Sequence, residues 1–394
     1  MRHSARHTAG RRSGRVSVTS AASAAPMAPG GPAASARSRR GFGWQALGVF
    51  AEILITLAVV CALYIVWQLW WTGVEAERTQ AETRQQVSWS DPASSGDTKI
   101  AKAQEGDPPV QPENASYGDL VAELYVPRFG QNWARNVVEG TDAAQLARHG
   151  LGHYETTQMP GELGNFAIAG HRSGYGEPLG EIDKLQEGDY IVIRTQDYWY
   201  VYQYTKFKIV TPDAVEVVAP NPEHPGEQPT KRMITLTTCE PKYTTATHRW
   251  IAWGELKYWA KVSDGVPKEL TTTDSTGKVK FASTAAKDMS LPARLGSLQP
   301  VVFGSLAVWA VLFIAAAVAW RWPLLAAIRA GVRRRPDASI YGGLMRIQPG
   351  VLPVRLLLTA LLLLAAAAAL FEWMFPWAAL NIPVLQQMSN FSVG

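Results

Sequence analysis

Cysteine is nearly absent from this chain, with two residues in 394, Cys61 and Cys239. Cys61 lies inside an apolar run, which leaves Cys239 alone in the largest polar region and excludes an internal disulfide there. Histidine is also sparse, with seven residues. A metal module built from Cys239, His248 and His171 would need Cys-x8-His, which fits no common zinc spacing, so no metal or other cofactor is expected. Acidic residues are missing from residues 1–43, which hold eight arginines among Ala, Ser, Gly and Pro. That composition cannot bury enough surface to fold and reads as a disordered tail. Nucleic-acid binding would need those charges on a folded face with aromatics between them, and it is not expected. No internal repeat is present.

Long apolar runs are there instead, and they account for much of the 47% apolar content. The run over residues 44–71 is too long for a signal-peptide core and is followed by no small-residue cleavage site, so it reads as an uncleaved signal anchor. Trp67, Trp70 and Trp71 cluster at its far end, where indoles favour a membrane interface. Further spans are expected over 300–320 and 354–376, the alternative being a hydrophobic hairpin that dips into the bilayer. The loop between them, 321–353, contains Arg321, Arg329, Arg333, Arg334, Arg335 and Arg346, and Arg355 follows. Positive charge in short loops marks the cytoplasmic side. The basic tail over 1–43 gives the same orientation independently. The lipid bilayer is therefore a partner, and residues 72–297 and 377–394 lie outside the cell. Within the exported part, 72–115 reads as a stalk, with a helical continuation of the span over Val74–Gln86 and flexible Asp-Pro segments after it. A second linker covers 263–297.

The remainder, 116–262, carries short strands rich in β-branched and aromatic residues. They are expected at Leu124–Val126, Asn165–Gly170, Tyr190–Arg194, Trp199–Tyr204, Lys206–Val210, Met233–Thr238 and Trp250–Leu256. One helix is expected over Asp142–His149, with Thr141 as N-cap. Seven or so strands with few helices fit a closed or nearly closed β-barrel, and a sandwich is the other arrangement.

Cys239 ends one of these strands in Thr235-Leu236-Thr237-Thr238-Cys239-Glu240-Pro241. A strand that stops at proline presents its last side chain at the rim of the sheet. A lone thiol outside the cell is prone to oxidation, so its presence points to use, although a buried Cys is commonly a small hydrophobe. His171 follows another strand in Ala169-Gly170-His171-Arg172-Ser173-Gly174. Thiol chemistry needs a thiolate and a proton donor for the leaving amine, and one His supplies both. Arg249 lies ten residues after Cys239 at the start of the next strand, where its guanidinium can stabilise an oxyanion or hold a substrate backbone.

Together these residues resemble the sortase family. Residues 235–239 match its Thr-Leu-X-Thr-Cys nucleophile signature, and His171, Cys239 and Arg249 fall in the family's order. The resemblance covers about residues 116–262. It implies an eight-stranded barrel, cleavage of a Thr-Gly bond in a C-terminal sorting signal, and a thioacyl intermediate released by an amine on a peptidoglycan precursor. Cys239 would be the nucleophile, His171 the general acid/base and Arg249 the oxyanion or substrate-positioning residue. Thr238, next to the Cys, is a candidate substrate contact. The partners implied are secreted proteins that carry the signal. Gly152-His153-Tyr154, Pro160-Gly161-Glu162 and Gly164 to Arg172 look like class E sortases of high-GC actinobacteria, associated with Leu-Ala-X-Thr-Gly signals. The tyrosine matching Tyr154 is implicated there in reading the second position. The two further spans depart from class E. Class C pilin polymerases have a C-terminal span, but their Asp-Pro-aromatic lid is not evident, since Asp91-Pro92-Ala93 and Asp107-Pro108-Pro109 lack the aromatic. A hydrolytic cysteine protease, with water as the acyl acceptor, is the nearest alternative activity.

Overall fold

Short runs rich in apolar and β-branched residues form eight strands within residues 120–261, and these close on one another into a barrel. The structure, a computed structural model, describes residues 41–90, 98–273, 275, 278–281, 290–294 and 296–388. The strands are β1 (Leu120–Tyr125), β2 (Ala134–Glu139), β3 (Leu151–His153), β4 (Gly164–Gly170), β5 (Tyr190–Arg194), β6 (Tyr198–Val210), β7 (Arg232–Glu240) and β8 (His248–Lys261). Around the barrel they run β1-β2-β3-β4-β7-β8-β6-β5, and β1 pairs back onto β5. Two neighbouring pairs are parallel, β2 with β3 and β4 with β7. Closure leaves no sheet edge, which settles the choice between barrel and sandwich. The interior is filled by Leu124, Val137, Phe166, Ile168, Ile191, Ile193, Tyr202, Ile234 and Leu236, none more than 1% exposed. Each such side chain contributes about 1.5–3 kcal/mol of transfer free energy.

Two strands were not expected, β2 and β3, and two expected ones are a single strand. β6 runs through Thr205, where the ladder to β8 shifts register between Tyr204 and Lys206. The extra residue is a β-bulge, and its hydroxyl donates to the Trp253 carbonyl at 3.1 Å.

The first helix has two α-helical parts, α1 (Phe42–Val66) and α2 (Thr72–Gln86), joined by a π-helical turn at Trp67–Trp71. The helix beside β3 is α3 (Ala143–His149), and its cap is Asp142 rather than the expected Thr141. The Asp142 carboxylate accepts from the N–H groups of Ala144 at 2.9 Å and Gln145 at 3.2 Å. An anion at a helix N-terminus combines capping with the dipole. After the barrel come α4 (Leu291–Arg294), α5 (Gln299–Trp320), α6 (Pro323–Arg329), α7 (Ile340–Ile347) and α8 (Leu352–Ala369). A second π-helical turn, Leu370–Met374, leads into α9 (Phe375–Asn381) and α10 (Pro383–Met388). Three helices are long and apolar enough to cross a membrane: Phe42–Gln86, Gln299–Trp320 and Leu352–Asn381.

Neither expected tether is free in its described part. In the 72–115 segment, Gln80 accepts from the Asn136 N–H at 2.6 Å and donates to the His149 carbonyl at 2.7 Å. Arg84 pairs with the buried Glu123 at 3.0 Å. Further on, Gln104 and Trp259 exchange backbone hydrogen bonds of 2.8 and 3.1 Å. The segment looks like a linker because its side chains are polar, yet those same amides and backbone groups bind it to the barrel. The 263–297 linker likewise contains a hairpin of β9 (Thr271–Thr273) and β10 (Val279–Phe281). Its Phe281 packs on Tyr125 and Trp199. The basic tail expected over 1–43 lies outside the described residues except for 41–43, which open α1, and so does 389–394 of the expected C-terminal tail. The described part of that tail is helical.

Candidate active site

β4 and β7 are parallel neighbours in which Ala169 pairs with Thr237, so the chain leaves β4 at His171 beside the end of β7 at Cys239. Thr238 locks the two ends together by donating its hydroxyl proton to the Gly170 carbonyl at 2.7 Å. β8 returns antiparallel with Arg249 directly opposite Cys239. Tyr154 leaves β3, which pairs with β4, and its hydroxyl lies 3.0 Å from Thr237 Oγ1. All five candidate residues, Tyr154, His171, Thr238, Cys239 and Arg249, therefore line one cavity of about 170 Å³. The start of α3, through Ala143 and Leu146, gives it an apolar wall. His248 is not among its lining residues; it is exposed, with Nδ1 at 2.9 Å from the Thr247 hydroxyl. His153 is a buried structural residue at 2.8 Å from the Glu139 carboxylate.

Burial dominates the electrostatics. Cys239 is 7% exposed and His171 only 2%. Desolvation pushes the Cys239 thiol up, while Arg249 and then Arg172 pull it back. Desolvation also pushes the His171 imidazole down to about 3. The resting pair is consequently thiol and neutral imidazole. The Tyr154 phenol is raised by burial, so it stays a neutral hydroxyl that can donate or accept.

The residue that sequence reasoning missed is Arg172, only 5% exposed. It forms an ion pair with Glu240, lies 3.5 Å from Asp183, and sits 5.0 Å over the Trp250 ring. The signal was in the sequence as an arginine directly after His171 and a glutamate directly after Cys239, but only the strand pairing makes them neighbours.

Residues 124–257 match the sortase domain family model. Sortase SrtE2 of Streptomyces coelicolor is 35% identical over 238 residues, covering 57% of this chain and 88% of that protein. Sortase SrtE1 of the same organism is 34% identical over 247 residues, 60% of this chain, and the match spans 65% of that relative's length. A solved structure of sortase E from Streptomyces avermitilis is 40% identical, covering 39% of this chain and 99% of that one, with a TM-score of 0.36. The chain belongs to the sortase family, a family of transpeptidases, and is class E-like.

Proposed function

We propose that this protein is a membrane-held cysteine transpeptidase that joins secreted proteins to a cell-wall precursor. Cys239 is the nucleophile, His171 the general acid/base and Arg249 the oxyanion or substrate-positioning residue. The observation that carries the reading is the convergence of a thiol, an imidazole and a guanidinium on one small cavity at the mouth of the barrel. His171 takes the thiol proton as Sγ attacks the threonine carbonyl of a sorting signal. Arg249 stabilises the oxyanion, the Thr-Gly C–N bond breaks, and His171 returns the proton to the leaving glycine nitrogen. The acyl group is then a thioester on Cys239. An amine of a peptidoglycan precursor attacks it, His171 takes the amine proton as the C–N bond forms and the C–S bond breaks, and that proton passes to the leaving sulfur to restore the thiol. The uncharged resting pair protects the thiol, because the thiolate is also the form that oxidises.

The signal proposed is Leu-Ala-X-Thr-Gly, with Tyr154 reading the second position and Thr238 contacting the substrate. In this reading the barrel lies outside the cell, with the tail and the Arg-rich loop at 321–353 inside; three helices long and apolar enough to cross a membrane and the positive charge of that loop support it. The test uses the full-length chain in detergent, a Leu-Ala-X-Thr-Gly peptide and mass spectrometry, with and without an added amine. An amine-linked product that disappears in Cys239→Ala is expected. Release of free acid alone, unchanged by amine, would make the enzyme a hydrolase.

A further inference from the structure

The loop that carries His171 is conformationally unusual. Four consecutive residues, Gly174, Tyr175, Gly176 and Glu177, have φ of 67°, 51°, 77° and 44°. Left-handed backbone is disfavoured for residues with a Cβ, and such a run persists only where its surroundings hold it. The surroundings here are the junction of α1 and α2. The Tyr175 N–H donates to the Thr72 hydroxyl at 2.8 Å, and that hydroxyl donates to the Gln68 carbonyl at 2.7 Å. Glycine permits the close approach: a Cβ on Gly174 would lie 2.5 Å from Gln68 Nε2, and one on Gly176 would lie 3.0 Å from Ala76 Cβ.

The loop uses this attachment to present one ring. Tyr175, 6% exposed, stacks on the His171 imidazole with centroids 4.7 Å apart and planes 30° apart. Behind it, Trp67 meets the Tyr175 ring edge-on at 6.4 Å and 90°. Trp67 in turn rests on Phe375 at 6.0 Å, and Trp71 meets Phe371 at 5.9 Å. Trp67 and Trp71 belong to the first π-helical turn, and Phe371 to the second, with Phe375 directly after it. π-Helical turns inside helices occur frequently at functional sites. Here the two insertions turn aromatic rows toward each other at the ends of two membrane-type helices, directly behind the His171 loop.

We propose that Tyr175 is a positioning residue for His171, held by Thr72 and Trp67 and backed by Phe375, so that the helices of the anchor complete the catalytic centre. The inference rests on the reading of His171 as general acid/base. It gives the last span a task beyond anchoring, because Phe375 closes the stack from the far side. The imidazole lines the same cavity as Cys239, Arg249 and Tyr154, and Arg172 is next in the chain. A ring with one face against Tyr175 keeps its orientation and stays dry, which is consistent with an imidazole pushed down to about 3 by burial.

The experiment uses the full-length chain in lipid nanodiscs, a Leu-Ala-X-Thr-Gly peptide with an added amine, and kinetics over a range of pH. Tyr175→Ala is expected to lower kcat by on the order of a hundredfold with little change in KM, the cost of a misplaced catalytic group. It should also move the acid limb of kcat/KM upward, since water reaching the imidazole returns it toward its ordinary range. Tyr175→Phe keeps the stacking face and should recover activity to within about fivefold, the worth of one neutral hydrogen bond. Thr72→Val, a near-isosteric change on the anchor helix, should move kcat and the acid limb the same way, and Thr72→Ser should restore both. Should Tyr175→Ala fail to fold, the Thr72 pair decides. The proposal is overturned if Thr72→Val and a folded Tyr175→Ala keep the parent kcat and acid limb, or if Tyr175→Phe is as impaired as Tyr175→Ala. His171→Ala is the internal control: turnover in that variant would sink the catalytic reading itself, separately from the positioning role.

Discussion

Replacing Arg249 by alanine removes the cation that faces Cys239 across the β7–β8 ladder. Directly opposed residues have Cβ atoms about 4.5–5.5 Å apart, so a guanidinium turned toward the sulfur comes to roughly 6 Å from it. At that separation a unit charge is worth about 3 kcal/mol at an effective dielectric of about 20, and about half that where water screens it. Arg249 is half-buried, so the expected stabilisation of the thiolate is about 1.5–3 kcal/mol, or about one to two pH units. The sign follows from the balance at Cys239: burial raises the thiol, and Arg249 opposes it ahead of Arg172. Removing Arg249 leaves burial opposed by Arg172 alone, and the thiol must rise. The assay is iodoacetamide alkylation against pH, followed by intact mass, in a Cys61→Ser background where Cys239 is the single thiol. Arg249→Ala should shift the inflection upward by about one to two pH units, slowing alkylation at neutral pH by about ten- to a hundredfold. Arg249→Lys should keep most of the inflection but lose turnover by about two orders of magnitude, because a point charge lacks the planar fork. An unmoved or lowered inflection in Arg249→Ala would refute the electrostatic role.

Tyr154→Ala should change the kcat/KM ratio for Leu-Ala-X-Thr-Gly over Leu-Pro-X-Thr-Gly peptides by about ten- to a hundredfold, as a contact worth about 1–3 kcal/mol does; an unchanged ratio leaves only its bond to Thr237. His171 has an ordinary value of 6.5 and a folded one of about 3, so between those values the unfolded chain binds the extra proton. Stability should fall as pH drops through that window, by up to roughly 5 kcal/mol, and His171→Asn should flatten the thermal-melt profile there; an identical profile in the variant would refute it. For topology, a reporter active only in the cytoplasm should be silent when fused after Lys280 and active when fused after Arg335; activity at the first site would invert the orientation.

What the sequence made legible follows from which signals are local. The runs at Tyr190–Arg194 and Met233–Thr238 pack apolar residues densely enough to be recognised as strands one at a time. β2 escapes that test because Arg135 and Asn136 interrupt it, and β3 because three residues hold no pattern. The Asp142 cap was missed by one position because Thr141 and Asp142 are both capping residues, and only geometry chooses between them. The helical continuation expected over Val74–Gln86 is there as α2, but the freedom expected of the stalk is not, for a different reason. Gln80 and Gln104 bond to backbone groups more than fifty residues away, which no local window can see. Of the five proposed site residues, Cys239, His171 and Arg249 stood out because thiol chemistry restricts the residue types that can serve, whereas Tyr154 came from the family resemblance and Thr238 from its place beside Cys239; what the strand pairing adds is that all five line one cavity.

Arg172 marks where that legibility ends and what lies behind the catalytic residues. Cys239 with Glu240 and Arg249 with Trp250 are consecutive in β7 and β8, where neighbouring side chains point to opposite faces, and Arg172 follows His171 just past the end of β4. The residues after His171, Cys239 and Arg249 are Arg172, Glu240 and Trp250. Arg172 forms an ion pair with Glu240 and lies 5.0 Å over the Trp250 ring, so one buried guanidinium ties together the three positions directly behind the proposed catalytic groups. Its Nη1 also lies 3.4 Å from the Cys239 carbonyl oxygen, to which it donates. The Glu240 side chain is a quarter exposed, so breaking this pair costs less than the about 3–5 kcal/mol of a fully buried one but more than an exposed one. The cavity therefore has two faces with separate duties. The front carries the groups proposed for the reaction, and the back carries an ion pair and a cation over an indole ring. This separation lets burial hold the Cys239 thiol up and the His171 imidazole down without loosening the strand ends that carry them.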